Sequence, residues 1–162
     1  MCGRFAFYSP AEATAALFGV TNAPAVEPRY NIAPTQYIAA IRANEQGEKH
    51  LGMLRWGLVP FWAKDPSIGA RMINARAETV AEKPSFRGAF KKRRCLVLAD
   101  GYYEWQRSGE VKIPWFISRS DEQPMAFAGL WESWQDPGST SPDPARTPTA
   151  PRIPLAVRRF ER

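Results

Sequence analysis

Cys2 carries two nucleophiles if the initiator methionine of this chain is removed. Cysteine is small enough to permit that removal, and the processed chain then presents an α-amine and a thiol on adjacent carbons. Such a 1,2-aminothiol reacts with an aldehyde in two steps, since the amine forms an imine and the thiol then closes a thiazolidine ring. The amine titrates at about 8 and the thiol at about 8.5, so both are partly nucleophilic at neutral pH. Cys2 thus offers the chemistry of aldehyde capture, although, taken alone, it is better explained as a small residue at a chain end.

The composition limits the classes of protein to which the chain can belong. With 162 residues, 44% of them hydrophobic, it can bury the core of one domain. A net charge of +6 favours polyanionic partners, nucleic acid foremost. Two cysteines, Cys2 and Cys95, are too few for a disulfide framework, and Cys95 opens an apolar strand as a buried, inert thiol. One histidine and two distant cysteines predict no metal site, and we expect no organic cofactor either.

The predicted cellular location follows from what the sequence lacks. No apolar run approaches the roughly 20 residues that cross a bilayer. The first residues lack the charged and apolar blocks of a signal peptide. We therefore expect a cytoplasmic protein that makes no membrane contact, and we also expect it to be a monomer.

Short elements position these side chains. Ser9 to Glu12 has the form of a capping box, with Pro10 at the first helical position and Gly19 as a stop, which predicts a helix over residues 10–18. Residues 37–42 and 50–56, joined by a polar turn at 44–48, predict a hairpin. Further strands are predicted at residues 95–98, 102–105, 113–117 and 124–131, and a helical segment, interrupted at Pro84, at residues 74–90.

These elements predict an α+β domain over residues 1–136, with a curved, mostly antiparallel, barrel-like sheet and short flanking helices. From residue 137 onward the composition changes to proline and arginine, with no apolar period. Such a segment cannot offset its ordering entropy by burial. Residues 137–162 are therefore predicted to be a disordered basic tail.

Four stretches in order resemble the SRAP family, the SOS-response-associated peptidase-like proteins. They are MCGRF at the start, RYNIAPTQ at residues 29–36, LRWGLVPFW at 54–62 with INARAE at 73–78, and ADGYYEW at 99–105. Each motif alone is weak, but the ordered set is specific and spans the chain to about Trp134. The resemblance implies a protein that shields abasic sites in single-stranded DNA by joining the sugar aldehyde covalently to Cys2.

The resemblance also implies roles for particular residues. Glu104 matches the family's catalytic glutamate; it stands among Tyr102, Tyr103 and Trp105, and loss of hydration there would favour its protonated form and suit general acid–base work. Asn74 matches an active-site asparagine that can hold the opened sugar, and it is also a candidate helix N-cap.

Further matches and residue types suggest contacts with DNA. Arg4 and Arg76 match family residues that grip the phosphates on either side of the lesion. Aromatic and proline side chains can stack on bases or wedge between them, with a core role equally open for Trp56. The candidates for this contact are Pro34, Trp56, Phe61 and Trp62.

The chain departs from the family after Trp134. Relatives carry further sheet there and a histidine that assists ring opening, whereas the one histidine of this chain, His50, lies in the second hairpin strand and matches no family site. The sequence is thus interpreted as a C-terminally incomplete SRAP domain. We expect the apolar faces near Phe127 and Trp131 to be partly uncovered as a result.

Functions of different classes remain open at this point. In the first, the chain is a suicide crosslinker, because Cys2, Asn74 and Glu104 are all present. In the second, it is a non-catalytic single-strand binder or a nonfunctional remnant. A third and weaker alternative is a peptidase in which Cys2 attacks an amide, for which the sequence shows no oxyanion hole.

Overall fold

A computed structural model describes residues 3–21 and 23–134, together with the backbone of residues 152 and 153. Cys2 and most of the predicted tail lie outside the described residues, so disorder of that tail stays a prediction. The elements are, in chain order, β1 (Arg4–Phe7), α1 (Ala11–Leu17), β2 (Arg29–Ile32), β3 (Tyr37–Ala43), β4 (Lys49–Trp56), a 3₁₀ helix (Pro66–Arg71), α2 (Arg87–Lys92), β5 (Arg94–Ala99), β6 (Gly101–Ser108), β7 (Val111–Ser118), β8 (Met125–Leu130) and β9 (Arg152–Ile153).

The strands form two sheets. The four-stranded sheet has the order β2-β1-β6-β7, and the five-stranded sheet has the order β8-β5-β3-β4-β9. All pairings are antiparallel except that between β4 and β9. The predicted α+β class with curved, mostly antiparallel sheet is confirmed, although the sheets do not close into a barrel.

The predicted hairpin at residues 37–56 is confirmed as β3 and β4, which pair from Tyr37 opposite Arg55 to Ala43 opposite Lys49. The Asn44 side chain fixes the turn, since its Oδ1 accepts hydrogen bonds from the backbone N–H groups of Gln46 and Glu48. Local side-chain acceptors of this kind are the reason asparagine favours turns.

The first helix is confirmed as α1, but its start differs from the predicted capping box. Pro10 precedes the helix with no side-chain hydrogen bond, and the Ser9 hydroxyl instead donates to Asp100 Oδ1 at 2.5 Å. Asp100 Oδ2 also accepts from the backbone N–H groups of Tyr8 and Ser9, at 2.6 and 2.8 Å. A buried aspartate between β5 and β6 therefore anchors the segment before the helix.

The prediction of a helical segment over residues 74–90 is wrong for most of its length. Turns occupy most of residues 77–86, and only α2 at the end is helical. The segment lacks a continuous apolar stripe, because its buried side chains Ala75, Val80 and Ala89 are spaced five and nine positions apart, and they pack into a small cluster with Leu58 and Leu130. Proline at position 84 further opposes a continuous helix.

The main core lies on the inner faces of the two sheets. Phe5 is central to it, with its ring 5.3 Å from Trp56 and 5.8 Å from Phe127 in edge-to-face contacts. Phe127 is therefore buried, and the expectation that its face is uncovered is wrong. Trp131 is half-buried, with the Arg42 guanidinium 4.9 Å above its ring.

The exposed apolar surface lies instead on β7, the edge strand of the four-stranded sheet, where every residue is exposed. A two-residue turn with Gly109 at φ +62° joins it to β6, and Ser108 pairs with Val111. Because paired residues alternate between bonded and non-bonded, Pro114 opposite Trp105 directs its ring nitrogen to the free edge. Proline is tolerated in a strand at such a position.

Candidate functional site

The register of β1 against β6 brings the start of the chain to Glu104. Arg4 lies opposite Tyr103 and Phe5 opposite Tyr102, in antiparallel order. The chain before Arg4 therefore runs alongside the part of β6 that carries Glu104, and Gly3 there is half-buried. Cys2 itself lies outside the described residues, one peptide bond from Gly3.

The aromatic side chains on the same face of the sheet as Glu104 are only in part those that the sequence suggests. Neighbours along a strand point to opposite faces, so Tyr103 and Trp105 lie on the face away from Glu104. The same-face neighbours are Tyr102, two residues before, and Trp115, directly opposite on β7. Glu104 is half-buried, and the Trp115 indole N–H donates to Gln106 at 3.0 Å. The aromatic surroundings of Glu104 thus come partly from a strand that the sequence motif does not include.

Asn74 is held close to the core below β1. The carbonyl of the preceding residue, Ile73, accepts a 2.9 Å hydrogen bond from the Trp56 indole N–H, and Trp56 packs on Phe5 of β1. Asn74 is half-buried in an isolated bridge. No helix begins at Asn74, so its predicted role as an N-cap is wrong, whereas a role toward the chain start is compatible with this position.

Trp56 is a core residue and not a base-stacking one. Its side chain is 1% exposed, and its N–H is satisfied by Ile73. The ring has no face available to a nucleotide. Of the two readings that the sequence leaves open for Trp56, the structure supports the core.

Pro34 lies in a tight turn that our sequence analysis did not predict. Gln36 N–H donates to the carbonyl of Ala33 at 3.3 Å, and Thr35 has φ +70°. A turn with proline second and a positive φ third normally has glycine at the third position, so a β-branched residue is strained there. Hydrogen bonds from the Thr35 N–H to the Trp56 carbonyl, at 3.0 Å, and from the Arg55 side chain to the Thr35 carbonyl, at 2.9 Å, hold the turn.

The loop after β4 exposes the side chains of Phe61 and Trp62. They are 70% and 51% exposed, although the residues just before them, Leu58 to Pro60, are buried. Behind this loop Gly57, at φ +117°, meets Gly69 so closely that a Cβ would lie 2.3 Å from the Gly69 carbonyl oxygen. A fixed loop that exposes two large rings suits stacking on bases.

The two predicted phosphate contacts lie on different elements. Arg4, half-buried, shares a face with Tyr103 and donates to Asn31 Oδ1 at 2.8 Å. Arg76 is exposed, two residues after Asn74. Both lie near parts of the candidate site, and their contacts with phosphate stay a prediction.

Cys95 is buried in β5, as the sequence predicts. Burial raises the pKa of its thiol to about 12, although the nearby Arg42 opposes the shift. A thiol in such surroundings is unreactive at neutral pH.

Two possible kinds of site are not found in the part of the chain that the structure describes. No three histidine, cysteine or acidic side chains come together there as metal ligands. Nor is any described helix long and apolar enough to span a bilayer.

Comparison with known proteins gives consistent matches. The model of the family described as SOS response associated peptidase (SRAP) matches residues 1–149. The abasic site processing protein YoaM of Bacillus subtilis (strain 168) is 46% identical over 138 residues, which are 83% of this chain and 60% of that protein. The abasic site processing protein YoqW of the same organism is 47% identical over 141 residues, or 85% of this chain and 62% of that protein.

A solved structure agrees with these matches. A protein from Bacteroides thetaiotaomicron superposes with a TM-score of 0.78 at 26% identity, covering 96% of this chain and 67% of that one. The chain spans about three fifths of the length of the two Bacillus relatives described above.

Proposed function

The chain belongs to the SRAP family, and on that premise we propose that it processes abasic sites in DNA through a covalent bond to Cys2. The observation that carries this proposal is the register of β1 against β6, which runs the chain start alongside Glu104. The names of the relatives, abasic site processing proteins, supply the substrate class. The partner is single-stranded DNA that contains an abasic site, met in the cytoplasm at the nucleoid.

The proposed reaction begins when the sugar ring opens and exposes its aldehyde. After removal of Met1, the Cys2 amine adds to the aldehyde carbon, and loss of one water gives the imine. The Cys2 thiolate then adds to the imine carbon, and the nitrogen takes up a proton, which closes the thiazolidine. The sequence has one histidine, His50, near the start of β4 and remote from Trp56 at its end, so proton transfer falls to Glu104.

The other candidate residues bind and orient the lesion. Asn74 can donate to and accept from the hydroxyl of the opened sugar. Arg4 and Arg76 are proposed to contact the adjacent phosphates, since guanidinium groups match phosphate geometry. Pro34, Phe61 and Trp62 are proposed to stack on the bases or wedge between them, whereas Trp56 supports them from the core.

The proposal is tested by a denaturing gel of the processed protein with an abasic oligonucleotide. Intact mass first establishes that Met1 is absent, because an amide nitrogen cannot form the imine. We expect a shifted band without added reductant. Cys2→Ser keeps the amine and loses the thiol, so its band should require borohydride to trap the imine.

Glu104 is tested by the rate of crosslinking. Glu104→Gln should slow it about 100-fold, in the range of general acid–base contributions. Glu110→Gln, in the exposed turn of the same hairpin, is the matched control and should keep the wild-type rate. A folded, processed protein that leaves the oligonucleotide unmodified would contradict crosslinking and favour the non-catalytic binder.

A further inference from the structure

A second concave site lies at the opposite end of the β3–β4 hairpin from the candidate site. It is a cavity of about 530 Å³ where β3 ends and β4 begins. From His50 to Trp56 the strand spans roughly 20 Å at its usual rise per residue, so the two sites are separate. The residues that line this cavity are Arg42, Ala43, Asn44, Glu45, His50, Lys92, Arg93 and Trp131.

Arg42 is the central cation of this cavity, and it forms no ion pair with an acid among the described residues. It is half-buried, and its guanidinium lies over the Trp131 ring. No described side chain or carbonyl accepts a hydrogen bond from Arg42, and its buried Nε is without a partner in that part of the chain. Burial lowers its pKa, which reflects the cost of a poorly compensated charge.

Arg93 and Lys92 add charge to the same wall. Arg93 donates from Nη2 to Glu132 at 2.6 Å, so one acid already balances it, while its buried Nε lacks a partner among the described residues. Lys92 is exposed at the end of α2. Glu45 lies at the rim and is exposed, where solvent screens it.

The architecture keeps the space above Arg42 open. Arg42 pairs with His50 on one side and with Cys95 on the other, so these three share the inner face of the five-stranded sheet. A Cβ at Gly52 would lie 3.8 Å from Arg42 Nη2, in ordinary contact, so the glycine leaves room beside the guanidinium. The cavity therefore opens to solvent at the polar end of this inner face, beside Arg42 and Arg93, whose Nε–H groups have no acceptor among the described residues.

We propose that this cavity binds a phosphate group, with Arg42 as its principal contact and Lys92 as a second. A guanidinium without a protein acceptor presents planar paired donors, and phosphate matches that geometry. A half-buried guanidinium without an ion-pair partner is costly, and an anion bound in the cavity compensates its charge. The phosphate comes either from a small soluble phosphate or from the backbone of a nucleic-acid strand.

The experiment is an NMR titration of the full chain, labelled with ¹⁵N, with inorganic phosphate at constant ionic strength. We expect saturable shifts of the Arg42 Nε–H resonance, with no such shifts when chloride replaces phosphate. Arg42→Gln should weaken phosphate binding, measured by calorimetry, at least about tenfold. Arg119→Gln is the matched control, because Arg119 is exposed and paired with Asp121 outside the cavity. Its affinity for phosphate should equal that of the wild type.

A second variant covers the case in which Arg42→Gln does not fold. Lys92→Gln changes an exposed residue and should weaken phosphate binding about threefold with unchanged melting temperature. An undamaged oligonucleotide that displaces phosphate from Arg42 identifies a nucleic-acid source, and displacement only by small phosphates identifies the other. Absence of saturable shifts at Arg42 with both phosphate and oligonucleotide would overturn the proposal, whatever the crosslinking assay gives.

Discussion

The two hairpins β3–β4 and β6–β7 are nearly equal in length, but most of β3 is buried whereas all of β7 is exposed. Ile38 and Leu54 of the first are at most 1% exposed, whereas Ile113 and Trp115 of β7 are 42% and 56% exposed. Both contain similar apolar side chains. The difference arises because β3 has a strand on each side and a packed inner face, while β7 is an edge strand.

This contrast distinguishes apolar side chains that stabilise the fold from apolar side chains that are available for binding. The first hairpin stabilises the fold, and the second keeps apolar side chains in solvent beside Glu104. Apolar patches exposed in this way commonly mark binding surfaces. The comparison therefore predicts that substitutions in the two hairpins affect different properties.

The largest expected effect comes from truncating the same residue type in each hairpin. Ile38→Ala should lower the free energy of unfolding by about 3 kcal/mol, because it leaves a cavity in a packed interior. Ile113→Ala should lower it by less than about 1 kcal/mol, because the side chain is already hydrated. Urea unfolding of both variants measures this, and equal losses would contradict the contrast.

The next largest effect is expected at Asp100, which lies between β5 of the five-stranded sheet and β6 of the four-stranded sheet. Asp100→Asn should cost about 2 kcal/mol, because an amide replaces the three charge-assisted hydrogen bonds of the Asp100 carboxylate with weaker neutral ones. Urea unfolding at neutral pH checks this. Asp121→Asn, in an exposed turn, should leave the midpoint nearly unchanged, and a similar fall in both variants would argue against a special role of Asp100.

Alkaline pH should weaken the buried sheet through Cys95. Its folded pKa, about 12, exceeds the ordinary thiol value of 9.0, so the unfolded chain loses this proton first as the pH rises. The protonated Cys95 thiol therefore contributes fully to the free energy of unfolding below pH 9. This contribution declines between pH 9 and 12 and is about 1 kcal/mol smaller at pH 10. Cys95→Ala should remove this part of the pH dependence of stability in urea titrations.

Alkylation of Cys95 provides a second test of the burial of its thiol. Iodoacetamide at pH 8 should leave Cys95 unmodified in the folded protein and alkylate it in urea, as peptide mass analysis will show. Rapid alkylation of Cys95 under folding conditions would mean that the interior of the five-stranded sheet is accessible to solvent.

The smallest effect is expected at the turn of the exposed hairpin. Gly109→Ala should cost about 1 kcal/mol or less, because an L-residue is strained at φ +62°. The loss should be local and appear as faster hydrogen exchange of β7 amides. Gly3→Ala, where the space around the Cβ is open, serves as a control and should leave β7 exchange unchanged. Slower exchange of β7 in Gly109→Ala would exclude this account of the turn.

Local patterns predicted α1 and the strands from β3 to β8, but not β1, β2 or the 3₁₀ helix. The β3–β4 hairpin and α1 follow from turn chemistry and apolar spacing, which act over a few residues. The segment at residues 74–90 did not, because its structure depends on separate contacts of Ala75 and Val80 with distant parts of the chain. Long-range packing of this kind leaves no period in the sequence.

The candidate site was predicted in its residues but not in its geometry. Motifs identified Asn74 and Glu104, yet one of the two aromatic neighbours of Glu104 on its face of the sheet is Trp115 from the next strand, which only the strand register reveals. The strain at Thr35 was missed, although proline before it was a usable signal for the turn. The uncompensated charge of Arg42 was not visible either, because it depends on which acids the fold keeps away.

Pro114 limits how this protein can associate with others of its kind. An edge strand with uninterrupted N–H groups offers a template on which further chains can add and eventually build fibrils. Here the ring nitrogen replaces one outward donor in the middle of β7, so a ladder along that edge is broken at its centre. The β6–β7 hairpin can thus keep its aromatic side chains exposed to solvent without pairing with a strand of another molecule.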